Sequence, residues 1–183
     1  MIDLLRTRIR QGFRTAPFPP AEPALPERYR GLPVIARGAC REGCEACVDV
    51  CPTQAITVRD GELALDLGRC LFCGECEAAC PAGAIRFSRD YRMAARKRED
   101  LVVTADGYTL ARPLDEAMRR VFGRSLRLRQ VSAGGSGAEE ADVNVLNTVV
   151  FDLARFGVQF VASPRHADGL LVTGPIPQNM RRA

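Results

Sequence analysis

Past Cys80 this chain has no cysteine at all, and in 183 residues it has a single histidine, His166. Nothing along it pairs a nucleophile with a base, and no glycine-rich loop has the spacing that cradles a nucleotide phosphate. His166 stands in "SPRHAD", where a hydrogen-bonding structural role and a ligand role both remain open. No stretch approaches the roughly 18 consecutive apolar residues that a membrane span needs. The opening residues also lack the apolar core and small-residue cleavage site of a secretory signal, so a cytoplasmic location is expected. Net charge is only +4, which demands no nucleic-acid partner. Of the 26 basic residues all but one are arginine, a bias that can reflect genome composition as much as chemistry.

What the chain does have is eight cysteines packed between residues 40 and 80. They fall into two copies of one unit, "CREGCEACVDVCPTQAI" from residue 40 and "CLFCGECEAACPAGAI" from residue 70, each ending in Cys-Pro. Without an export signal a disulfide framework is disfavoured, and zinc ribbons use two separated cysteine pairs rather than two runs of four. The second copy, C-x2-C-x2-C-x3-C-P, is the spacing by which three thiolates wrap one iron–sulfur cube while the fourth reaches a second cube. Copied onto this chain, that arrangement gives one cluster to Cys40, Cys44, Cys47 and Cys80 and the other to Cys70, Cys73, Cys76 and Cys51. The first copy has three residues between its leading cysteines instead of two. Gly43 is placed to absorb the extra residue, and a first cluster with or without Cys40 as a ligand are the two outcomes this spacing leaves. Two [4Fe-4S] clusters make the chain an electron carrier with no catalytic site of its own.

Four segments are expected. Residues 1–16 form an amphipathic helix, with Ile2, Leu5, Ile9 and Phe13 near one face and arginines on much of the rest; packing on its own chain and docking on a partner or membrane surface are equally open. Residues 17–37 form a proline-rich extended arm, since six prolines lie within the 18 residues from Ala16 to Pro33. Residues 38–104 hold the cysteine repeat, each copy read as loop, short helix and strand ("AITV", "AIRF"), with a hairpin turn at Asp60–Gly61. Each helix must stop at its Cys-Pro step, because a residue before proline avoids helical dihedrals. Residues 105–183 read as helix (112–123), strand ("SLRLRQVS"), Gly/Ser-rich loop, helix (141–157) and two apolar strands, "VQFVA" and "GLLVTG".

The stretch from the amphipathic helix through "YRGLP", the double motif and "SRDYRMAARKREDL" resembles the two-cluster ferredoxin-type subunit of formate hydrogenlyase and complex I. From about residue 113, "SAGG", "EADVNVL" and "DLARFGVQFVASPRHADGLLVTGPIPQNMR" resemble the hydrogenase small-subunit family, which complex I shares. The resemblance implies an α+β chain: a bacterial two-cluster ferredoxin-like domain followed by a partial α/β domain of the hydrogenase small-subunit type. It implies partners that are hydrogenase large- and small-subunit-like chains and membrane-arm subunits, with membrane contact indirect or through the N-terminal helix. It also implies a peripheral position on the inner face of the cytoplasmic membrane. In the small-subunit family two cluster cysteines lie within the stretch occupied here by Ser136, Gly137, Ala138 and Glu139, followed by Glu140. Serine and glutamate are poor substitutes for thiolate toward iron–sulfur, so that third cluster is not expected. Two functions remain in view: an electron relay inside a membrane-associated, complex-I-like hydrogenase or formate hydrogenlyase, and a structural or assembly subunit whose clusters do not turn over.

Overall fold

The computed structural model describes residues 2–12, 14–18, 20–59, 61–111, 126–135 and 137–182. The element expected at 112–123, and the positions Phe13, Asp60 and Ser136, lie outside them. The chain divides into two compact units: Met1–Pro23 together with Leu114–Ala183, and Ala24–Pro113. The first of these opens with helix α1 (Ile2–Gln11), which buries none of its residues.

The unit Ala24–Pro113 is built twice over. Strand β1 (Pro33–Ile35) at the end of the proline arm pairs antiparallel with β4 (Ile85–Phe87), and between them lie helices α2 (Ala46–Asp49) and α3 (Glu75–Ala79). Both helices are a single turn long. The cause is local: each runs into a Cys-Pro step, and Cys80 is extended at φ −76°, ψ 106°. Strands β2 (Ile56–Arg59) and β3 (Glu62–Asp66) form the expected hairpin, with Arg59 opposite Glu62 across the turn, and β3 also pairs with β5 (Val102–Val103). Alternation along β3 sends Leu63 and Leu65 inward and leaves Glu62 exposed.

The two copies bury matching residues. Ala55 and Ile56 after the first motif are each 3% exposed, and Ala84 and Ile85 after the second are 1% and 0% exposed. With Leu65, Leu67, Val103, Cys47 and Cys76 they form one core, so the cysteine loops are anchored on it rather than hung from its surface.

The other unit contains a three-stranded parallel sheet. Strand β6 (Leu126–Ser132) is central, flanked by β7 (Val158–Phe160) and β8 (Gly169–Thr173), and all three lie on stretches expected to be strands. Helix α4 (Ala138–Val145) follows β6 but stops well short of the helix expected over 141–157. Thr148 Oγ1 donates 2.7 Å to the Val145 carbonyl, an alternative to the helical ladder, and Asp152 turns left-handed at φ 45°. A short 3-10 turn at Leu153–Phe156 then ends at Gly157, left-handed at φ 77° as a helix-closing glycine should be.

The arm's first residues belong to this unit. Ala16 N–H donates 2.6 Å to the Val150 carbonyl, Arg155 Nη2 donates to the Ala16 and Phe18 carbonyls at 2.9 and 3.2 Å, and the Phe18 ring meets Phe156 edge-on.

Candidate iron–sulfur site

All eight cysteines are unbridged thiols. Cys47 on α2 and Cys76 on α3 are buried, Cys73 is exposed and the other five are half-buried. Cys47 therefore carries a thiol pushed up, first by burial and then by the charges of Cys40, Cys80 and Cys44. Cys70 is pushed up by burial and then by Cys73 and Cys51, and Cys76 rises to about 11 through burial together with Cys70 and Cys73. The thiols that influence one another thus fall into two sets. Cys47 feels Cys40, Cys44 and Cys80; Cys70 feels Cys73 and Cys51. Cys51, Cys70, Cys73 and Cys76 also line one cavity together with Ile56 and Leu65.

The cysteines before proline behave differently. Burial works against ionisation at Cys51 and Cys80, but converging backbone N–H groups outweigh it and hold both thiols below their ordinary value. The leading donors are equivalent: Ala55 N–H reaches Cys51 Sγ at 3.2 Å and Ala84 N–H reaches Cys80 Sγ at 3.2 Å. They can be equivalent because the residue before each donor is left-handed, Gln54 at φ 52° and Gly83 at φ 61°.

The donor set suits an iron–sulfur group. Each set joins at least one thiol pushed up by burial, Cys47 in one and Cys70 and Cys76 in the other, with one Cys-Pro thiol held below its ordinary value, and a cationic iron core favours the thiolate form of all four.

The enlarged interval of the first copy folds as a β-turn. Cys44 N–H donates 3.1 Å to the Arg41 carbonyl, with Gly43 at φ 71° in the third position, where that turn needs a positive φ. In the second copy Phe72 occupies the matching place before the second cysteine, left-handed at φ 54° without being glycine, and its N–H donates 3.3 Å to Cys70 Sγ. The extra residue therefore goes into the turn at Arg41–Glu42; the left-handed residue is common to both copies.

Residues 39–84 match the family model described as a 4Fe-4S dicluster domain. A relative from Geobacter metallireducens, NADH-quinone oxidoreductase subunit I 2, is 34% identical over 104 residues, covering 48% of this chain and 77% of its own length. The chain belongs to the NADH-quinone oxidoreductase subunit I family. As a subunit I family member it holds two [4Fe-4S] clusters and transfers electrons. Two Escherichia coli proteins are also similar. Formate hydrogenlyase subunit 6 is 39% identical, with 56% of this chain and 59% of that one matched; subunit 7 is 41% identical, with 32% of this chain and 23% of that one matched.

Away from the cysteines, the position implied for a further cluster carries no thiol. Glu140, in the first turn of α4, accepts hydrogen bonds on Oε1 from Ser132 Oγ at 2.6 Å and Thr173 Oγ1 at 2.7 Å, and these two hydroxyls hold its carboxyl below the usual range. His166 lies exposed in a 3-10 turn, Pro164–His166, capped by Ser163, whose hydroxyl accepts from the Arg165 N–H. Backbone N–H donation to sulfur is what tight cysteine loops predict, but that Ala55, Phe72 and Ala84 supply it was not legible in the sequence; the left-handed dihedrals that aim them have no reliable signal outside glycine.

Proposed function

We propose that this chain relays single electrons as a peripheral subunit of a membrane-associated complex related to complex I, [NiFe] hydrogenase and formate hydrogenlyase. Cys40, Cys44, Cys47 and Cys80 hold one cluster, and Cys70, Cys73, Cys76 and Cys51 the other. The observation that carries this is that Cys51, the Cys-Pro cysteine of the first copy, lines one cavity with Cys70, Cys73 and Cys76 of the second. Each cluster supplies one-electron chemistry without bonds to substrate being made or broken. The chain's own residues fix the thiols on a common core, donate N–H groups to sulfur and exclude water with Ala55, Ile56, Ala84 and Ile85.

Its partners are hydrogenase large- and small-subunit-like chains and membrane-arm subunits. Similarity to two different formate hydrogenlyase subunits favours a fused arrangement, with the parallel-sheet unit standing as a partial small-subunit-like domain. Among the described residues no helix is long and apolar enough to cross a membrane, so attachment runs through partners or through α1, which exposes Ile2, Leu4, Leu5 and Ile9 beside its arginines.

Iron and sulfide analysis of anaerobically reconstituted protein tests the reading. Two clusters are expected in the native chain and about half the iron in Cys70→Ser; native protein without iron–sulfur absorbance would overturn it. A structural or assembly role is favoured by one observation, the thiol-free carboxylate at Glu140. Clusters that stay in one oxidation state while the assembled complex turns over would establish that role instead.

A further inference from the structure

Although the two copies of the motif bury the same residues, they present different hydrogen-bond donors to their thiols. Around Cys51, Cys70, Cys73 and Cys76 the leading backbone donors among the described residues are Ala55 N–H to Cys51 Sγ at 3.2 Å and Phe72 N–H to Cys70 Sγ at 3.3 Å. A third group, the Thr53 hydroxyl, stands 3.8 Å from Cys51 Sγ. Around Cys40, Cys44, Cys47 and Cys80 the matching backbone donor is Ala84 N–H to Cys80 Sγ at 3.2 Å. The counterpart of Thr53 there is Ala82, which has no hydroxyl. The counterpart of the Phe72 donor is also lost: Gly43 holds the matching place, and among the described residues no N–H is bonded to Cys40 Sγ, which instead faces the Arg41 carbonyl at 3.9 Å.

Phe72 reinforces the contrast. A bulky residue at positive φ is strained, and strain of that kind persists where the surrounding structure over-determines it. Here the Phe72 ring packs edge-on against Phe87 at 6.2 Å, which fixes the backbone with its N–H on sulfur.

Reduction adds one electron, and so one negative charge, to a cluster and its thiolates. Donors aimed at sulfur stabilise that added charge and raise the potential. Charged neighbours stand around both sets: Asp66, paired with Arg98, bears on Cys70, Arg69 precedes it, Glu75 lines the same cavity and Arg30 lies over Gly74 beside Cys73, while Arg41 follows Cys40 and Glu45 follows Cys44.

Resting on the two-cluster reading above, we propose that Thr53, Phe72 and the Arg41–Cys44 turn set the order of the relay, making the Cys51/Cys70/Cys73/Cys76 cluster the higher-potential acceptor. A one-electron donor of low potential reduces the Cys40/Cys44/Cys47/Cys80 cluster, and the electron that cluster loses is the one its neighbour gains. Electrons therefore run downhill from the irregular copy of the motif to the regular one.

An EPR-monitored redox titration of the full reconstituted chain tests this with two mild, reciprocal substitutions at half-buried positions. The native protein should show two distinct midpoints. Thr53→Val should lower only the higher one, and Ala82→Thr should raise only the lower one. Each shift should be about a tenfold change in reduced fraction at fixed potential, or about 59 mV for a one-electron couple. Coincident native midpoints, or Thr53→Val acting on the lower one, would overturn the ordering while leaving the two clusters intact. Absence of any iron–sulfur signal would instead sink the underlying two-cluster reading.

Discussion

The two units use their apolar residues in opposite ways. In Ala24–Pro113 nearly every strand sends side chains into one small core, and Leu65, Ile85 and Val103 there are at most 2% exposed. In the other unit a parallel sheet, an arrangement that ordinarily has both faces covered, leaves Leu170 61% and Val172 44% exposed on β8. Among the described residues its buried members are only Ala133 and Thr173. One unit is thus organised inward, around the ground on which two clusters stand. The other is organised as a surface, and to it the first turn of the proline arm is fastened.

The sharpest way to break this contrast is to truncate one leucine in each unit. Leu65→Ala removes a side chain that faces Ile56 on one strand and Val103 on another, so a loss of about 2–5 kcal/mol is expected. Leu170→Ala removes an exposed one and should change stability by less than about 0.5 kcal/mol. Anaerobic urea unfolding of both variants measures the difference. Equal losses would mean that β8 is packed as tightly as β3 and that the two units do not differ in kind.

Much of this contrast was legible in the residues, and for physical reasons. Cysteine spacing is read without knowing the fold, because the geometry of a cube constrains the loop around it; Cys-Pro steps and short apolar runs fixed helix ends and strands in the same local way. The interval of Cys40–Cys44 was read less well. Gly43 does take the positive φ expected of it, yet Phe72 takes it too, so the extra residue is accommodated by a turn rather than by glycine. The 141–157 helix failed for a similar reason: apolar spacing carries no record of the Thr148 hydroxyl or of Asp152 turning left-handed. Strand β1 was hidden inside the proline arm, because its partner β4 lies about fifty residues away in sequence.

A smaller effect probes how the arm is fastened. Arg155 donates to the carbonyls of Ala16, just before the arm, and Phe18 within it while its guanidinium sits 4.7 Å from the Phe156 ring centroid, so three contacts depend on one exposed side chain. Arg155→Ala should cost the arm about 1 kcal/mol of local stability. That is about fivefold faster amide exchange at Ala16, whose N–H is bonded to Val150. Unchanged exchange there would show that the Phe18–Phe156 contact suffices without the arginine.

The smallest effect lies on the cluster unit's own rim, where the chain runs from β3 into Cys70. Asp66 receives Arg98 at 2.8 and 2.5 Å and the Gly68 N–H at 2.8 Å. The Arg98 hydrogen bonds, aided by that N–H, hold its carboxyl below the usual range against the opposing effect of burial. A carboxyl whose folded pKa is depressed stabilises the fold above its unfolded value, near 3.9, and loses that contribution as pH falls through the folded value. Both partners are partly in solvent, so screening limits the pair to about 0.5–1 kcal/mol. Asp66→Asn should therefore be less stable than the native chain by about that much at pH 7, with the gap narrowing as pH drops below about 4 and as salt is added. A gap that stayed constant in acid would assign the loss to the turn at Gly68 instead of to charge, leaving Arg98 with no part in holding the second cysteine loop to the core.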